Sequence, residues 1–167
     1  MHTNGRQLHY LILLGGNLGD VRRTFELAIG RLAEIGHIEA ESSVYCSEAW
    51  GFEAVETFCN QIVELVTCTE PESLLDITQS IERQLGRTSK SHDGHYASRN
   101  IDVDILFCGN QTVSTPRLTI PHPLLHKRRF TLVPLVERWP DTVHPVTGKT
   151  AIEMLDECPD NGRVWKE

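Results

Sequence analysis

His95-Tyr-Ala-Ser-Arg99-Asn-Ile101-Asp102-Val103-Asp104-Ile105-Leu106 is the stretch on which the fold and chemistry of this chain turn. Its second half alternates, with Ile101, Val103 and Ile105 on one side of an extended backbone and Asp102 and Asp104 on the other. Same-side residues of a strand lie about 6.6 Å apart along it. Strands disfavour aspartate, and two carboxylates that close repel unless something positive stands between them. Mg2+ takes oxygen ligands, commonly one or two carboxylates plus substrate phosphates, and would relieve the pair. Arg99, three residues ahead of Asp102, adds a planar cationic fork suited to phosphate. The plain alternative is a solvated strand face whose aspartates pair with Lys or Arg across a sheet.

The surroundings favour the metal. The chain is acidic, with a formal net charge of −7, which argues against a general nucleic-acid binder. Yet residues 83–129 hold eight of its sixteen Lys and Arg and four of its eight His, against three acids, Asp93, Asp102 and Asp104. An acidic protein that gathers positive charge around its carboxylate pair is suited to a polyphosphate with its metal. At 167 residues the chain is expected to form a single domain over 1–167 with a substantial core, as a monomer or weak dimer. No apolar run approaches a membrane span and no signal-peptide pattern opens the chain, so no membrane partner is expected. Five cysteines without a Cys-x-x-Cys pair point to reduced thiols and a cytoplasmic location. Cys46, Cys59 and Cys108 fall in strand-like stretches and read as buried packing.

Taken in order, residues 8–14 read as a buried strand and Gly15-Gly16-Asn17 as a tight turn, with Asp20 as the cap of a helix. Val21, Phe25, Ala28, Ile29 and Leu32 repeat at helical spacing, and Gly36 is the stop. No Gly-Lys-Ser/Thr follows the glycines, so they do not form a phosphate loop. Residues 37–46 read as a second strand, Ser47 to Thr57 as a mobile loop around Trp50-Gly51-Phe52, and Phe58 to Thr67 as a third strand. Asn60 is unusual in that apolar run. Its amide either reads a flat heterocycle with a donor and an acceptor at once or makes a cross-strand hydrogen bond. Pro71 opens a helix to Leu85, with Leu74, Thr78, Ile81 and Leu85 as its core stripe. Leu75, Gln79 and Glu82 form an adjoining stripe that either meets a ligand or is solvated.

Arg87 to Ser98 is a twelve-residue polar loop of the length expected for a lid, leading into Arg99 and the aspartate strand. Residues 111–114 read as a short edge strand, and Pro121 and Pro123 fix the backbone around His122. Lys127-Arg128-Arg129-Phe130 opens a helix to Arg138 with Pro134 as a kink, and residues 150–157 form a last helix. The order βαββαβ predicts a ferredoxin-like α+β core, a mostly antiparallel sheet flanked by helices, with a C-terminal extension.

The chain resembles the 6-hydroxymethyl-7,8-dihydropterin pyrophosphokinase family over nearly its whole length. The resemblance is carried by Ala97-Ser98-Arg99-Asn100-Ile101-Asp102-Val103-Asp104-Ile105-Leu106, which fits the family's Arg-x-x-Asp-x-Asp signature. Gly15-Gly16-Asn17-Leu18-Gly19, Ser42-Ser43-Val44-Tyr45, Phe58-Cys59-Asn60, Ile81 through Arg87, and Pro121-His122 through Arg128 and Phe130 support it by their joint order and spacing. It implies transfer of pyrophosphate from ATP to the pterin hydroxymethyl group with release of AMP. Asp102 and Asp104 would ligate two Mg2+ ions, and Arg87 and Arg99 would contact phosphates. Leu75, Gln79, Glu82, Lys90, Ile105 and Arg117 would line the nucleotide site, with His122 and Arg128 near the phosphates. Asn60 would hydrogen-bond the pterin, Phe130 would stack on it, and Phe58, Ser47, Glu48, Trp50 and Tyr96 would line its pocket. Tyr96 stands where some members carry Trp, and Ser89 where some carry a basic residue, leaving that contact to Lys90 or to none.

Two other functions compete. A ferredoxin-like RNA-binding module would need exposed sheet aromatics in a basic setting, whereas this chain is acidic and 7% aromatic. A metal-dependent nucleotide hydrolase would use both aspartates equally but would give Asn60 and Phe130 no task. No dedicated general base stands out for the transfer itself.

Overall fold

The computed structural model describes residues 5–17, 20–50, 55–86 and 101–167, and only the backbone of 49, 50, 55 and 56. The central strand β1 (Leu8–Gly16) is apolar along both faces because both are covered. It runs antiparallel to β4 (Val55–Thr67) on one side and to β5 (Ile101–Cys108) on the other. Two strands share the far side of β4: β2 (His37–Glu41) pairs Val63–Val66, and β3 (Tyr45–Trp50) pairs Val55–Asn60. A final strand β8 (Val164–Lys166) adds to β3, giving the order β5-β1-β4-β3-β8 with β2 also on β4. Between β5 and β8 a small separate hairpin forms from β6 (Val113–Ser114) and β7 (Thr119–Ile120).

Helices cover both faces. On one, α1 (Val21–Leu32) and α2 (Pro71–Gly86) bury Phe25, Ala28, Leu32, Leu74 and Ile81 against Tyr10, Ile12 and Leu14 of β1 and Ile101, Val103 and Ile105 of β5. On the other, α3 (Arg129–Arg138) and α4 (Ala151–Asp156) bury Leu132, Leu135, Ala151 and Met154 against Leu11, Leu13 and Ile62. The ferredoxin-like core is therefore as expected, and the C-terminal extension supplies the cover for the face that such a core leaves open. Asp20 caps α1 by accepting from the Arg23 N–H at 3.2 Å, and Thr150 with Glu153 forms a capping box on α4.

Four local expectations are corrected. Gly15 and Gly16 are not a turn; they complete β1, opposite Asn60 and Cys59 on one side and Asp102 and Ile101 on the other. The stretch 37–46 is two strands rather than one. At the break Ser42 replaces ladder bonds, its N–H donating to Ile62 O (2.8 Å) and its Oγ accepting from Ile62 N (2.9 Å). Of the loop expected over Ser47–Thr57, 47–50 belong to β3 and 55–57 to β4, while 51–54 lie outside the described residues. The helix expected from Lys127 is a 3-10 turn (Leu125–Lys127) and then α3, separated by Arg128, whose backbone is extended (φ −120°, ψ 106°). Pro134 does lie within α3. Strand β8 has no counterpart among the sequence expectations, and the loop 87–98 lies outside the described residues.

Candidate active site

The alternation of β5 decides where the acids go. Ile101, Val103 and Ile105 are buried beneath the α1–α2 face, which turns Asp102 and Asp104 to the α3 side. Across β1, Asp102 stands opposite Gly15 and Asp104 opposite Leu13. On the far side of β1, Asn60 of β4 also stands opposite Gly15. Asp102, Gly15 and Asn60 therefore form one row across three strands, roughly 10 Å from end to end at the usual strand spacing. Gly15 has no side chain, so the floor between carboxylate and amide is low. A Cβ there would fall 2.9 Å from Asn60 Nδ2.

Above this floor is a cleft of about 600 Å³, a size suited to a small-molecule substrate. Asp102, Asp104 and Arg128 line one end. At the other end are Asn60, Phe58, Phe130, Ser47 and Glu48. The Arg128 guanidinium lies 5.7 Å from the Phe130 ring centroid. Asn60 is buried (6% exposed), and among the described residues its amide makes one long bond, Nδ2 to Leu14 O at 3.4 Å. Capacity to donate and accept remains for a ligand.

The acidic end is under electrostatic strain. Burial pushes the Asp104 carboxyl above the usual carboxylate range; His122 and Arg128 oppose the shift, and Asp102 adds to it. Burial likewise holds the His122 imidazole below its ordinary value, against the pull of Asp104. His122 accepts the Leu124 N–H at Nδ1 (3.2 Å) and donates its own backbone N–H to Leu106 O (3.0 Å). Two like-charged oxygen donors on one strand face, one of them half-buried, fit a hard divalent cation.

The residues expected at the nucleotide lie on the other side of β5, along its outer edge. Glu82 of α2 accepts the Val103 N–H at 2.8 Å; burial raises its carboxyl, this bond opposes, and Asp104 and Asp102 add to the rise. Leu75 is half-buried against the helix-side core, and Gln79 is exposed. Arg117, between β6 and β7, bonds Asp76 of α2 at 2.5 Å. The Ile105 side chain is buried beneath α1 and α2 rather than on the aspartate face. Structure thus separates two groups, a cleft set and an edge set, with Asp102, Asp104 and His122 near their meeting line. Arg87, Lys90, Tyr96 and Arg99 lie outside the described residues, as does the side chain of Trp50.

Several cleft residues were not anticipated. Leu13, Gly15, Gly16 and Asn17 form part of the wall, as do Asp160, Gly162, Arg163 and Val164 from the segment that enters β8. The glycines carried a signal, since a Gly pair continuing an apolar strand marks a close approach as well as a turn. The Asp160–Val164 segment carried none, being a polar stretch before a strand too short to alternate.

By its fold and site this chain is a ferredoxin-like α+β protein with an acidic pair and an aromatic, amide-bearing cleft on one sheet face. It matches the family model for 7,8-dihydro-6-hydroxymethylpterin-pyrophosphokinase over residues 11–140. It is 41% identical over 134 residues to the 2-amino-4-hydroxy-6-hydroxymethyldihydropteridine pyrophosphokinase of Porphyromonas gingivalis, covering 79% of this chain and 90% of that protein. The Aquifex aeolicus enzyme of the same name is 38% identical over 144 residues, 86% of this chain and 88% of that one. The Synechocystis enzyme is 38% identical over 163 residues, 96% and 81%. Among solved structures, a Plasmodium falciparum HPPK-DHPS with pterin and p-hydroxybenzoate superposes with a TM-score of 0.70 at 18% identity, which speaks for the fold. The match covers 93% of this chain and 44% of that longer one. The chain belongs to the 7,8-dihydro-6-hydroxymethylpterin-pyrophosphokinase family. It is an enzyme of folate biosynthesis that transfers pyrophosphate from ATP to 6-hydroxymethyl-7,8-dihydropterin. No helix among the described residues is long and apolar enough to cross a membrane.

Proposed function

We propose that the transfer takes place over the Asp102–Gly15–Asn60 row, with the pterin in the cleft and ATP along the outer edge of β5. Asn60 reads the donor–acceptor edge of the pterin. Phe58 and Phe130 face its rings, and Ser47, Glu48 and Trp50 line the outer end. Leu75, Gln79, Glu82, Arg117 and His122 take the nucleotide, with the Ile105 side chain in the core beneath them rather than against the ligand, and Arg128 reaches the phosphates from the cleft. Arg87, Lys90 and Arg99 bring further positive charge to the phosphates, and Tyr96 covers the pterin; these four are assigned by family likeness alone. Asp102 and Asp104 hold Mg2+, two ions in number, which when bound supplies charge neutralisation for the phosphates and lowers the pKa of the attacking hydroxyl.

The pterin hydroxyl oxygen bonds to the β-phosphorus as the bond from that phosphorus to the α–β bridging oxygen breaks. AMP leaves with the electron pair, and the hydroxyl proton passes to solvent. Such transfers depend on positioning and charge stabilisation more than on covalent help. A row that sets a carboxylate at one end and an amide at the other supplies the positioning, and it is the observation that carries this proposal. The enzyme acts in the cytoplasm, as a single domain over 1–167 and as a monomer or weak dimer.

Calorimetry on Asn60→Ala tests the division of the site. Pterin affinity should fall by about 1–3 kcal/mol, the cost of removing one partner of a buried polar contact, while affinity for a non-hydrolysable ATP analogue stays within twofold. Equal losses for both ligands would make Asn60 structural and refute the assignment.

A further inference from the structure

Asp160 sits between α4 and β8, and its carboxylate accepts two backbone N–H groups. Oδ2 takes that of Arg129 at 3.1 Å, and Oδ1 takes that of Gly162 at 2.8 Å. Arg129 is the first residue of α3, and the residue before it, Arg128, makes no side-chain cap bond of its own. The first N–H groups of a helix have no partner within it, and an anionic acceptor there is favoured by the helix dipole. Asp160 does from 31 residues away what a neighbouring Ser or Asp does in most helices. A Cβ at Gly162 would lie 3.0 Å from Asp160 Oδ1, so a residue without one keeps this corner tight.

The bond reaches the cleft through its neighbours. Arg128 precedes the tethered Arg129 nitrogen and Phe130 follows it, and both line the cleft. Arg128 has extended backbone between the two helical segments. Its N–H closes the 3-10 turn on Leu125 O (3.3 Å), and its C=O accepts from Thr131 (3.0 Å) and Leu132 (3.1 Å) of α3, so the tether at Arg129 lies between its two neighbours' cleft-lining side chains. On its other side Asp160 leads into β8, where Val164 pairs with Ser47, and Ser47 in turn pairs with Phe58. The carboxylate thus ties the start of α3 to the strand row Val164–Ser47–Phe58 at the Asn60 end of the cleft.

We propose that Asp160 is a positioning residue for the pterin half of the site. Its carboxylate fixes the main chain between Arg128 and Phe130, so that ring and guanidinium are in place before substrate arrives. The inference rests on the assignment above, in which Phe130 faces the pterin.

The test compares Asp160→Ala, Asp160→Asn, Phe130→Ala and the double variant Asp160→Ala/Phe130→Ala, by KM for each substrate and by thermal melting. Asp160→Ala should raise the pterin KM about tenfold, in line with the loss of a helix cap, and leave the ATP KM within twofold. Asp160→Asn, able to turn its one oxygen to Arg129, should recover most of that loss. The double variant should be no worse than Phe130→Ala alone, because Asp160 acts through that ring. Equal rises in both KM values, a lowered melting temperature with unchanged KM values, or additive losses in the double variant would overturn the inference. Should Asp160→Ala fail to fold, Asp160→Glu takes its place: a rise in pterin KM alone supports the role, and unchanged kinetics refute it. If Phe130→Ala leaves the pterin KM unchanged, the assignment of the cleft fails and takes this inference with it. If Phe130→Ala raises it and Asp160→Ala does not, the inference alone fails.

Discussion

Gly15 and Asn60 stand opposite each other on β1 and β4, and the Asn60 amide occupies the space that a side chain on Gly15 would take, 2.9 Å from its Cβ position. The atom in the way is the tip of a side chain, so Gly15→Ala should displace the amide rather than the strand. Folding should change little, since alanine suits a strand at least as well as glycine. Pterin binding should weaken by about 1–3 kcal/mol, with ATP binding unaffected. Calorimetry with each ligand checks this; unchanged pterin affinity would mean that the amide position is not used.

Burial raises the Asp104 carboxyl, so its ionised form is less favourable in the folded protein than in the unfolded chain. That cost is full at neutral pH and fades as pH falls through the raised folded value. In Mg2+-free buffer at pH 7, Asp104→Asn should raise the melting temperature, because the variant does not carry the cost of burying an ionised carboxylate. Saturating Mg2+ should stabilise the wild type and not the variant, since a ligand of the folded state adds to stability. Melting curves with and without Mg2+ read both effects, and a destabilised variant in metal-free buffer would contradict the account.

His144 is a second pH-sensitive element, far from the chemistry. Its Nδ1 accepts the N–H groups of Val146 (3.2 Å) and Thr147 (3.3 Å), which requires a neutral ring at that atom. Burial, with a smaller contribution from His126, lowers its pKa. The stability it supplies is present above the unfolded value of about 6.5 and is lost as pH falls through the lowered folded value. Denaturant unfolding between pH 7 and pH 5 should show a decline of at most about 1.4 kcal/mol per pH unit from this group. His144→Gln should be less stable at pH 7 and should flatten that decline; an unchanged slope would place the titrating group elsewhere.

The thiols divide by burial. Cys46 and Cys59 face each other across β3 and β4, their sulfurs 2.7 Å apart. Burial, with the neighbouring Cys59 thiol, pushes Cys46 up to about 12, and burial raises Cys59 and Cys108 as well. Cys68 is exposed. A thiol-reactive dye at pH 8 should label Cys68 rapidly, the half-buried Cys158 more slowly, and the three buried thiols only on unfolding, because the thiolate is the nucleophile. Cys68→Ser should remove the fast phase, and rapid labelling of Cys46 or Cys59 would show that β3 opens readily from β4.

The long elements were legible because each carries its own signal. An apolar run marks β1, helical spacing with a cap marks α1, Pro71 opens α2, and alternation marks β5. Gly15 and Gly16 misled because glycine read locally is a turn residue, while their place in β1 is set by Asn60, 45 residues later. The break at Ser42 was hidden because its side chain imitates the ladder bonds it interrupts. Asp102 and Asp104 stood out as acids in a strand, a local rule violation of the kind that marks sites. The separation of cleft and edge residues was not visible, since it depends on β5 being the outermost strand among the described residues. Asp160 was invisible for a related reason: its two bonds go to backbone N–H groups, which are alike in every sequence.

Pterin-dependent release of AMP from ATP, followed as Mg2+ is titrated, tests the central claim most directly, with the wild type beside Asp102→Asn and Asp104→Asn. The wild type should form AMP only when both Mg2+ and 6-hydroxymethyl-7,8-dihydropterin are present. Each variant should lose on the order of a hundredfold or more in turnover, the scale of removing one stabilising group from a reacting centre, and saturating Mg2+ should not restore it. Near wild-type turnover in either variant, or AMP released without pterin, would contradict the assignment of these two carboxylates.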